Sequence, residues 1–438
     1  MRIKLLTAVL ALLAGVLAAL PARAAAPDAT VAPIQVTGPA ASRFNLVVMG
    51  DGYTAAELPK FREQLDKHLN ILWSIEPFKS YRNYVNVYAV EIASPESGVD
   101  CDPGLTDPKR DTPLQMGFWG GCNPGSVQRL LTVSQAAATE YADLVPGTTS
   151  ANRQILAIGN SDTYGGAGGT YATASGGNAL SALITPHELG HSLGGLQDEY
   201  DYYARGERGA PYQGPEPSSI HHTLLTEQQL LAQQKKWYRW LGQPSESGGT
   251  IGRYEGGMYA GSGVWRPSAH SMMKALGYYF DQPSRERMTQ RLSAKANLFQ
   301  DSTPAGRVAP DQVVWLQTLH PVDHELDVTW TLDGTALPTA NAERGPVGAR
   351  PRARHAHADG DDRRPDRVHP RSRRPPDRSP IVDNRPGCHR TAAHDADVHH
   401  LDVDRAPGER RRGRVRRDRA VRRCDHLEGR RSDCRQSG

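Results

Sequence analysis

The stretch His187-Glu-Leu-Gly-His191-Ser-Leu-Gly194-Gly195-Leu-Gln197-Asp198-Glu199-Tyr200 constrains this chain more than any other. Residues four apart on a helix lie one turn above each other on the same face. His187 and His191 can therefore aim two imidazole nitrogens at one ion, and zinc is the usual occupant of such a pair. Glu188 flanks the first ligand, where it can take a proton from an activated water and hand it on. Gly194 stands where a helix can stop in a left-handed conformation and turn the chain back. The acidic pair Asp198-Glu199 follows within reach.

The compartment is read from the first residues. Met1-Arg2-Ile3-Lys4 is basic, Leu5 to Leu20 is almost wholly apolar, and Ala22-Arg23-Ala24 supplies small residues at a cleavage position. This is the pattern of a secretory signal over 1–24, and the apolar run is short for a membrane anchor. No later stretch approaches membrane-spanning length, so an exported protein, secreted or periplasmic, is expected. In such a compartment Cys101 and Cys122 are a disulfide candidate, closing a loop of about 20 residues.

The order of elements predicts an α/β (α+β) domain over 43–300, preceded by an Ala- and Pro-rich linker at 25–42. Asn45–Met49, Tyr84–Ile92 and Gln154–Ile158 read as strands. Thr54-Ala-Ala-Glu57 reads as a capping box before a helix through Phe61, Leu65, Leu69 and Leu72. Residues 94–125 read as a long stapled loop and Val127–Leu144 as a second helix. The glycine run from Tyr164 to Gly169 is either a flexible loop or an edge strand beside the cleft, to which a peptide could add as a further strand. Pro186 either kinks the central helix or stands in its first turn at Thr185. His221 and His222 read as exposed loop residues, with metal ligands the alternative, and Gln228–Leu241 as a helix.

Four blocks together resemble the IgA-cleaving zinc metallopeptidase family, a metzincin-like group: NLVVMGDGYTAAEL at 45–58, the YGGAGG run, HELGHSLGGLQDEY, and YEGGMY…WRPSAHSMM at 254–273. They span about residues 43 to 290. The resemblance implies a metzincin-like zinc peptidase domain with a twisted sheet, an active-site helix and a methionine-bearing turn, for which Met273, next to Met272, is the best match. Ordinary metzincins place a histidine three residues after the glycine, where this chain has Gln197, a poor ligand. Asp198, one residue on, is the expected third ligand, with Glu199 the alternative and Glu227 a thermolysin-like one. The remaining acid of the pair would steady an imidazole or a turn amide.

The expectation is an exported zinc endopeptidase acting on protein or peptide, with Zn2+ on His187, His191 and Asp198 and Glu188 as general base. Tyr200, Tyr254, Tyr259 and Arg266 are candidates to stabilise the oxyanion. A secreted adhesion module with a structural zinc and a zinc amidase acting on cell-wall peptide are the alternatives. No specific nucleic acid and no membrane span after signal removal are expected.

The last part of the chain differs in kind. Gln312–Gln317 and Leu326–Gly334 alternate like the opening strands of an immunoglobulin-like β-sandwich over 305–343. From 344 to Gly438 there is no Lys, Met, Phe, Trp or Tyr, and Ile381, Leu401 and Leu427 are the only Ile and Leu. Such a segment cannot bury enough apolar surface to offset its ordering entropy. It reads as a disordered Arg-rich tail, and its Arg/Pro/Ala/His mixture is that of GC-rich coding DNA read out of frame. In that case Cys388, Cys424 and Cys434 carry no metal-site meaning.

Overall fold

A computed structural model describes residues 28–203, 206–306, 313–324, 326–332 and 335–336. The signal segment, the arginine-rich tail and the frameshift expected near 344 lie outside the described residues.

Strand β2 (Phe44–Asp51) forms the middle of the domain because every one of its residues is buried. Its side chains alternate between faces, as the two-residue period of a strand requires. Leu46 and Val48 join one apolar cluster, and Val47 and Met49 join another on the opposite face. A strand covered on both sides reads as a continuous apolar run, and this is why the segment was legible as buried.

The six-stranded sheet has the order β1-β3-β2-β4-β6-β5, where β1 is Thr30–Gln35, β3 Val85–Glu91, β4 Arg153–Gly159, β5 Gly166–Gly168 and β6 Ala172–Ser175. The inner pairs β3/β2, β2/β4 and β4/β6 are parallel. The two outer strands run antiparallel to their neighbours.

On one face lie helix α1 (Leu58–Leu72), the central helix and Met272 and Met273. On the other lie helix α2 (Gln135–Ala142) and the apolar residues Leu114, Met116, Phe118 and Leu131 of the long loop. The Asp51 carboxylate, fully buried at the end of β2, fastens that loop to the sheet. It accepts from Leu114 N (2.9 Å), Met116 N (2.8 Å) and Thr112 Oγ1 (2.9 Å). Burial pushes the Asp51 carboxyl up, against the pull of those donors. Gly52 is needed here, since its φ is 73° and a Cβ would meet Gly98 O at 1.9 Å.

Several expectations are corrected. Residues 25–42 are not simply a linker, because Thr30–Gln35 pairs with β3 as an edge strand. The second helix is α2 alone. Residues 127–134 precede it as a turn, closed by Leu130 N on Val127 O (3.2 Å), and a short non-helical passage, and the Ser134 side chain caps the helix by accepting from Ala137 N. At the 54–57 turn the expected capping box is present, with Glu57 Oε2 accepting from Thr54 N (3.0 Å) and also from the Thr54 hydroxyl (2.9 Å). The Cys101–Cys122 disulfide is formed, with Cα atoms 5.7 Å apart.

Residues expected to open a β-sandwich form a two-stranded ladder, β9 (Phe299–Ser302) with β10 (Leu316–Thr318), and a hairpin, β11 (Thr331–Leu332) with β12 (Thr335–Ala336). The chain after β10 docks on the main domain: Leu319 joins its core and Val322 N donates to Ser80 O (2.7 Å).

Candidate active site

Helix α3 (Ser181–Ser192) carries the HELGH motif and lies across the sheet next to β5 and β6. Pro186 is the sixth residue of this helix, neither in a first turn nor at a break. Its missing N–H costs the bond that Ala182 O would otherwise receive.

The helix end also differs from expectation. Gly195, not Gly194, takes the left-handed conformation (φ 65°). There Gly195 N donates to His191 O (2.9 Å) and Leu196 N to Gly190 O (3.0 Å). Gly194 is small for a packing reason: a Cβ would meet Met288 Sδ at 2.5 Å. Together the two glycines reverse the chain tightly enough to bring Asp198 back over the helix.

The three converging atoms are His187 Nε2, His191 Nε2 and Asp198 Oδ1. The two nitrogens are 3.2 Å apart, and the carboxylate oxygen is 3.2 and 3.3 Å from them. Each imidazole is oriented from behind by a backbone carbonyl, His187 Nδ1 by Met272 O (2.9 Å) and His191 Nδ1 by Leu196 O (2.8 Å). A carbonyl only accepts, so both Nδ1 atoms carry the proton and both Nε2 atoms of the neutral rings present lone pairs. Asp198 Oδ1 is buried with no hydrogen-bond partner. Three acceptors facing one another across 3.2–3.3 Å repel unless a cation lies between them, so the donor set fits a metal ion.

The electrostatics point the same way. Burial lowers the His187 pKa, but with no cation bound the carboxylates of Asp198 and Glu188 outweigh it and raise the imidazole to about 9, so a proton takes the place that a metal would hold at Nε2. Burial raises the Asp198 pKa, but the two imidazoles outweigh that and hold it well below the usual carboxylate range. In both cases the pocket demands positive charge.

Glu188 has ligand-capable atoms within 4.8 Å of those of the two histidines, yet the tighter triangle is closed by Asp198. Burial pushes the Glu188 carboxyl up, against the pull of the two imidazoles.

Beneath the histidines, Gly190 lets the Met273 sulfur approach, since a Cβ there would be 2.7 Å from it. Above them runs β5. Gly165 O and Gly169 N bond toward β6, to Ser175 N and Tyr171 O, so by alternation Gly166 and Gly168 turn their backbone groups away from β6, the Gly166 N–H onto Arg129 O (3.1 Å) and Gly168 to the cleft. The glycines also let the strand lie directly on α3. A Cβ on Gly168 would meet His191 Cβ at 2.4 Å, and one on Gly166 would meet Ile184 Cγ2 at 2.5 Å. The glycine run is therefore an edge strand beside the cleft, as one of its two readings expected.

The cleft encloses about 620 Å³ and is lined by His187, Glu188, His191, Asp198, Tyr200 and Tyr259 among others. Tyr259 sits at the tip of the hairpin β7 (Tyr254–Gly257) and β8 (Ala260–Arg266), where Met258 (φ 52°) and Tyr259 (φ 65°) are both left-handed. Asn-Gly normally fills such a turn, so Met-Tyr is strained. Met258 N on Asp198 O (2.9 Å) and Tyr259 N on Tyr200 O (2.8 Å) hold it in place. The Tyr259 hydroxyl donates to Asp198 Oδ2. The other oxyanion candidates stand apart: Tyr254 donates to Thr250 O (2.8 Å), and Arg266 is buried on Glu255 O and Gly256 O (both 2.8 Å). Glu227 is exposed in the first turn of helix α4 (Glu227–Gln233) and does not line the cleft. That helix ends well short of the expected Leu241.

Glu199, the alternative ligand, faces the other way and is fully buried. Its Oε1 pairs with His221 Nδ1 (2.9 Å) and its Oε2 accepts from Ser271 Oγ (2.6 Å). His221 Nε2 accepts from Gln197 N (3.0 Å). The expectation that His221 and His222 are exposed is thus wrong, since both are fully buried. His221 holds Gln197 N and Glu199, and Glu199 in turn joins this segment to Ser271 and Met273 O beside Met272. A bare His-His pair in a polar stretch gives no sequence signal for that role.

No helix among the described residues is long and apolar enough to cross a membrane. A search of curated proteins finds no match. The profile of the family described as IgA Peptidase M64 matches residues 32–246, taking in β1, the whole sheet, α3 and both acids after it. The match starts before the motif blocks at 43 and ends short of the 254–273 block. Over residues 32–246 this chain belongs to the IgA peptidase M64 family.

Proposed function

We propose that the chain is an exported zinc-dependent endopeptidase with a metzincin-like catalytic domain. His187, His191 and Asp198 hold the metal and Glu188 is the general base. The observation that carries the reading is the triangle of acceptors with edges of 3.2, 3.2 and 3.3 Å. Tetrahedral zinc with ligands at about 2.0–2.1 Å needs donor separations near 3.3–3.4 Å. When bound, zinc supplies Lewis acidity toward the scissile carbonyl and lowers the pKa of a water.

The remaining work falls to the chain. Gly168, with its backbone groups turned to the cleft, hydrogen-bonds an extended substrate as an added strand. Glu188 takes the proton of the attacking water and delivers it to the leaving amine. Tyr200, which lines the cleft, offers a hydroxyl for the developing oxyanion, whereas the Tyr259 O–H is already given to Asp198 Oδ2. Export rests on the signal pattern at 1–24. We further propose that 305–343 begins an immunoglobulin-like domain cut short by a frameshift near 344.

The test is hydrolysis of a diverse peptide library with and without chelator, by the wild type and by Glu188→Gln. The variant keeps its metal and loses about 10²–10⁴-fold in rate. Turnover that survives chelation, or a metal-loaded Glu188→Gln of undiminished rate, contradicts the reading.

A further inference from the structure

Arg129 lines the cleft together with His187, Glu188, His191 and Asp198. Among the described residues no carboxylate lies within ion-pair distance of its guanidinium, whereas Arg62, Arg153, Arg208 and Arg285 each have one. Of the acids in the cleft, Asp198 faces the two imidazoles, and Glu188, buried beside them, feels the Arg129 charge without forming an ion pair with it.

The backbone at this position is fixed on three successive carbonyls. Gln128 O accepts from Trp119 N (3.1 Å), Arg129 O from Gly166 N (3.1 Å) and Leu130 O from Gly120 N (2.7 Å). The 117–122 segment that supplies two of these donors is itself held by the Cys101–Cys122 disulfide. The second bond sets Arg129 against the N-terminal end of β5, where it closes one end of the open strand edge. The same cleft is lined by Thr132, Gln135, Thr170 and Tyr171, which bring hydroxyl and amide groups, and by the apolar Leu130 and Val133. A half-buried cationic fork on a fixed stretch of backbone, with no ion-pair partner among the described residues, matches a carboxylate bidentately.

We propose that Arg129 is a specificity residue that selects substrates bearing a carboxylate next to the scissile bond. The carboxylate is either an Asp or Glu side chain or a chain terminus. This rests on the peptidase reading and adds the substrate class to it.

The test is a peptide series identical except at the positions flanking the scissile bond, each carrying Asp, Asn or Lys, with free and amidated C-termini. The wild type favours Asp over Asn in kcat/KM by about ten- to hundredfold, as expected for a charge-assisted pair. Arg129→Gln removes that discrimination and Arg129→Glu turns it toward Lys, with bound metal and Tm retained. A preference for free over amidated termini, without an Asp preference, identifies the terminal carboxylate as the group read. Equal rates for Asp, Asn and amidated peptides, or an Arg129→Glu that keeps the wild-type order, overturn the proposal. So does a loss that is uniform across the series, which would place Arg129 in the chemistry instead. Binding of the same peptides to Glu188→Gln reads the preference without turnover. Absent hydrolysis then counts against the peptidase reading, and absent discrimination in binding counts against Arg129.

Discussion

Asp198 and Glu199 are chain neighbours with the same functional group, and the fold gives them opposite surroundings. Asp198 turns its Oδ1 into a cluster of lone pairs at the floor of an open cleft. Glu199 turns into the interior, where both of its oxygens have donors and no part of it meets solvent. One environment is frustrated without a cation, and the other is complete without one. A carboxylate is therefore no guide to a ligand by itself. What marks the ligand is that its surroundings leave it unsatisfied.

The comparison breaks most readily at Asp198. Asp198→Ala removes one of the three proposed ligands and should weaken metal binding by more than about 100-fold, beyond the range of an outer partner. Titration against a competing chelator measures this. A loss under tenfold would remove Asp198 from the triangle.

Glu199→Ala should weaken metal binding only about 10–100-fold, through the loosened supports of Gln197 and Met272. It should also destabilise the metal-free protein by about 2–5 kcal/mol, because His221 Nδ1–H and the Ser271 hydroxyl lose their buried acceptor. Denaturant unfolding in chelator separates the two effects. A variant that loses the metal at unchanged stability would exchange the roles assigned to the pair.

A smaller effect lies behind Glu199. Asp281 caps helix α5 (Gln282–Ala294) by accepting from Ser284 N (3.1 Å), and also accepts from Ser268 Oγ (2.7 Å). Burial, then the charge of Glu199, holds its carboxyl at about 6, while His221 and the two serines pull the other way. The folded value is raised above the unfolded one, so folding favours the protonated acid. Stability from this group is full below about pH 4 and is lost as pH rises through about 6, on the order of 3 kcal/mol. Asn caps a helix as well as Asp. Asp281→Asn should therefore match the wild type near pH 4 and exceed it by about 2–3 kcal/mol at pH 8. Parallel pH dependence in the two proteins would refute this.

Much of the site was legible because local rules set it. The i, i+4 spacing of His187 and His191 survives in any helix, and the alternation of Leu46–Met49 survives in any buried strand. The departures have a common cause, which is that distant partners decide them. Thr30–Gln35 carries Pro33 and looks like a linker until β3 offers an edge. Residues 127–134 have helix-compatible residues, but their carbonyls are taken by Trp119, Gly120 and Gly166 instead of by a helix. His221 is polar and in a loop, and only the buried Glu199 makes its burial favourable. Gly194 and Gly195 were recognised as a turn, but which of them becomes left-handed depends on the Met288 sulfur pressed against the first.

The most direct measurement is anomalous diffraction at the zinc edge from crystals of the zinc-loaded protein. The account predicts one strong peak in the cleft, bonded to His187 Nε2, His191 Nε2 and Asp198 Oδ1, with Glu199 still paired to His221. A peak bonded to Glu199, or one that leaves Asp198 outside bonding distance, would contradict it.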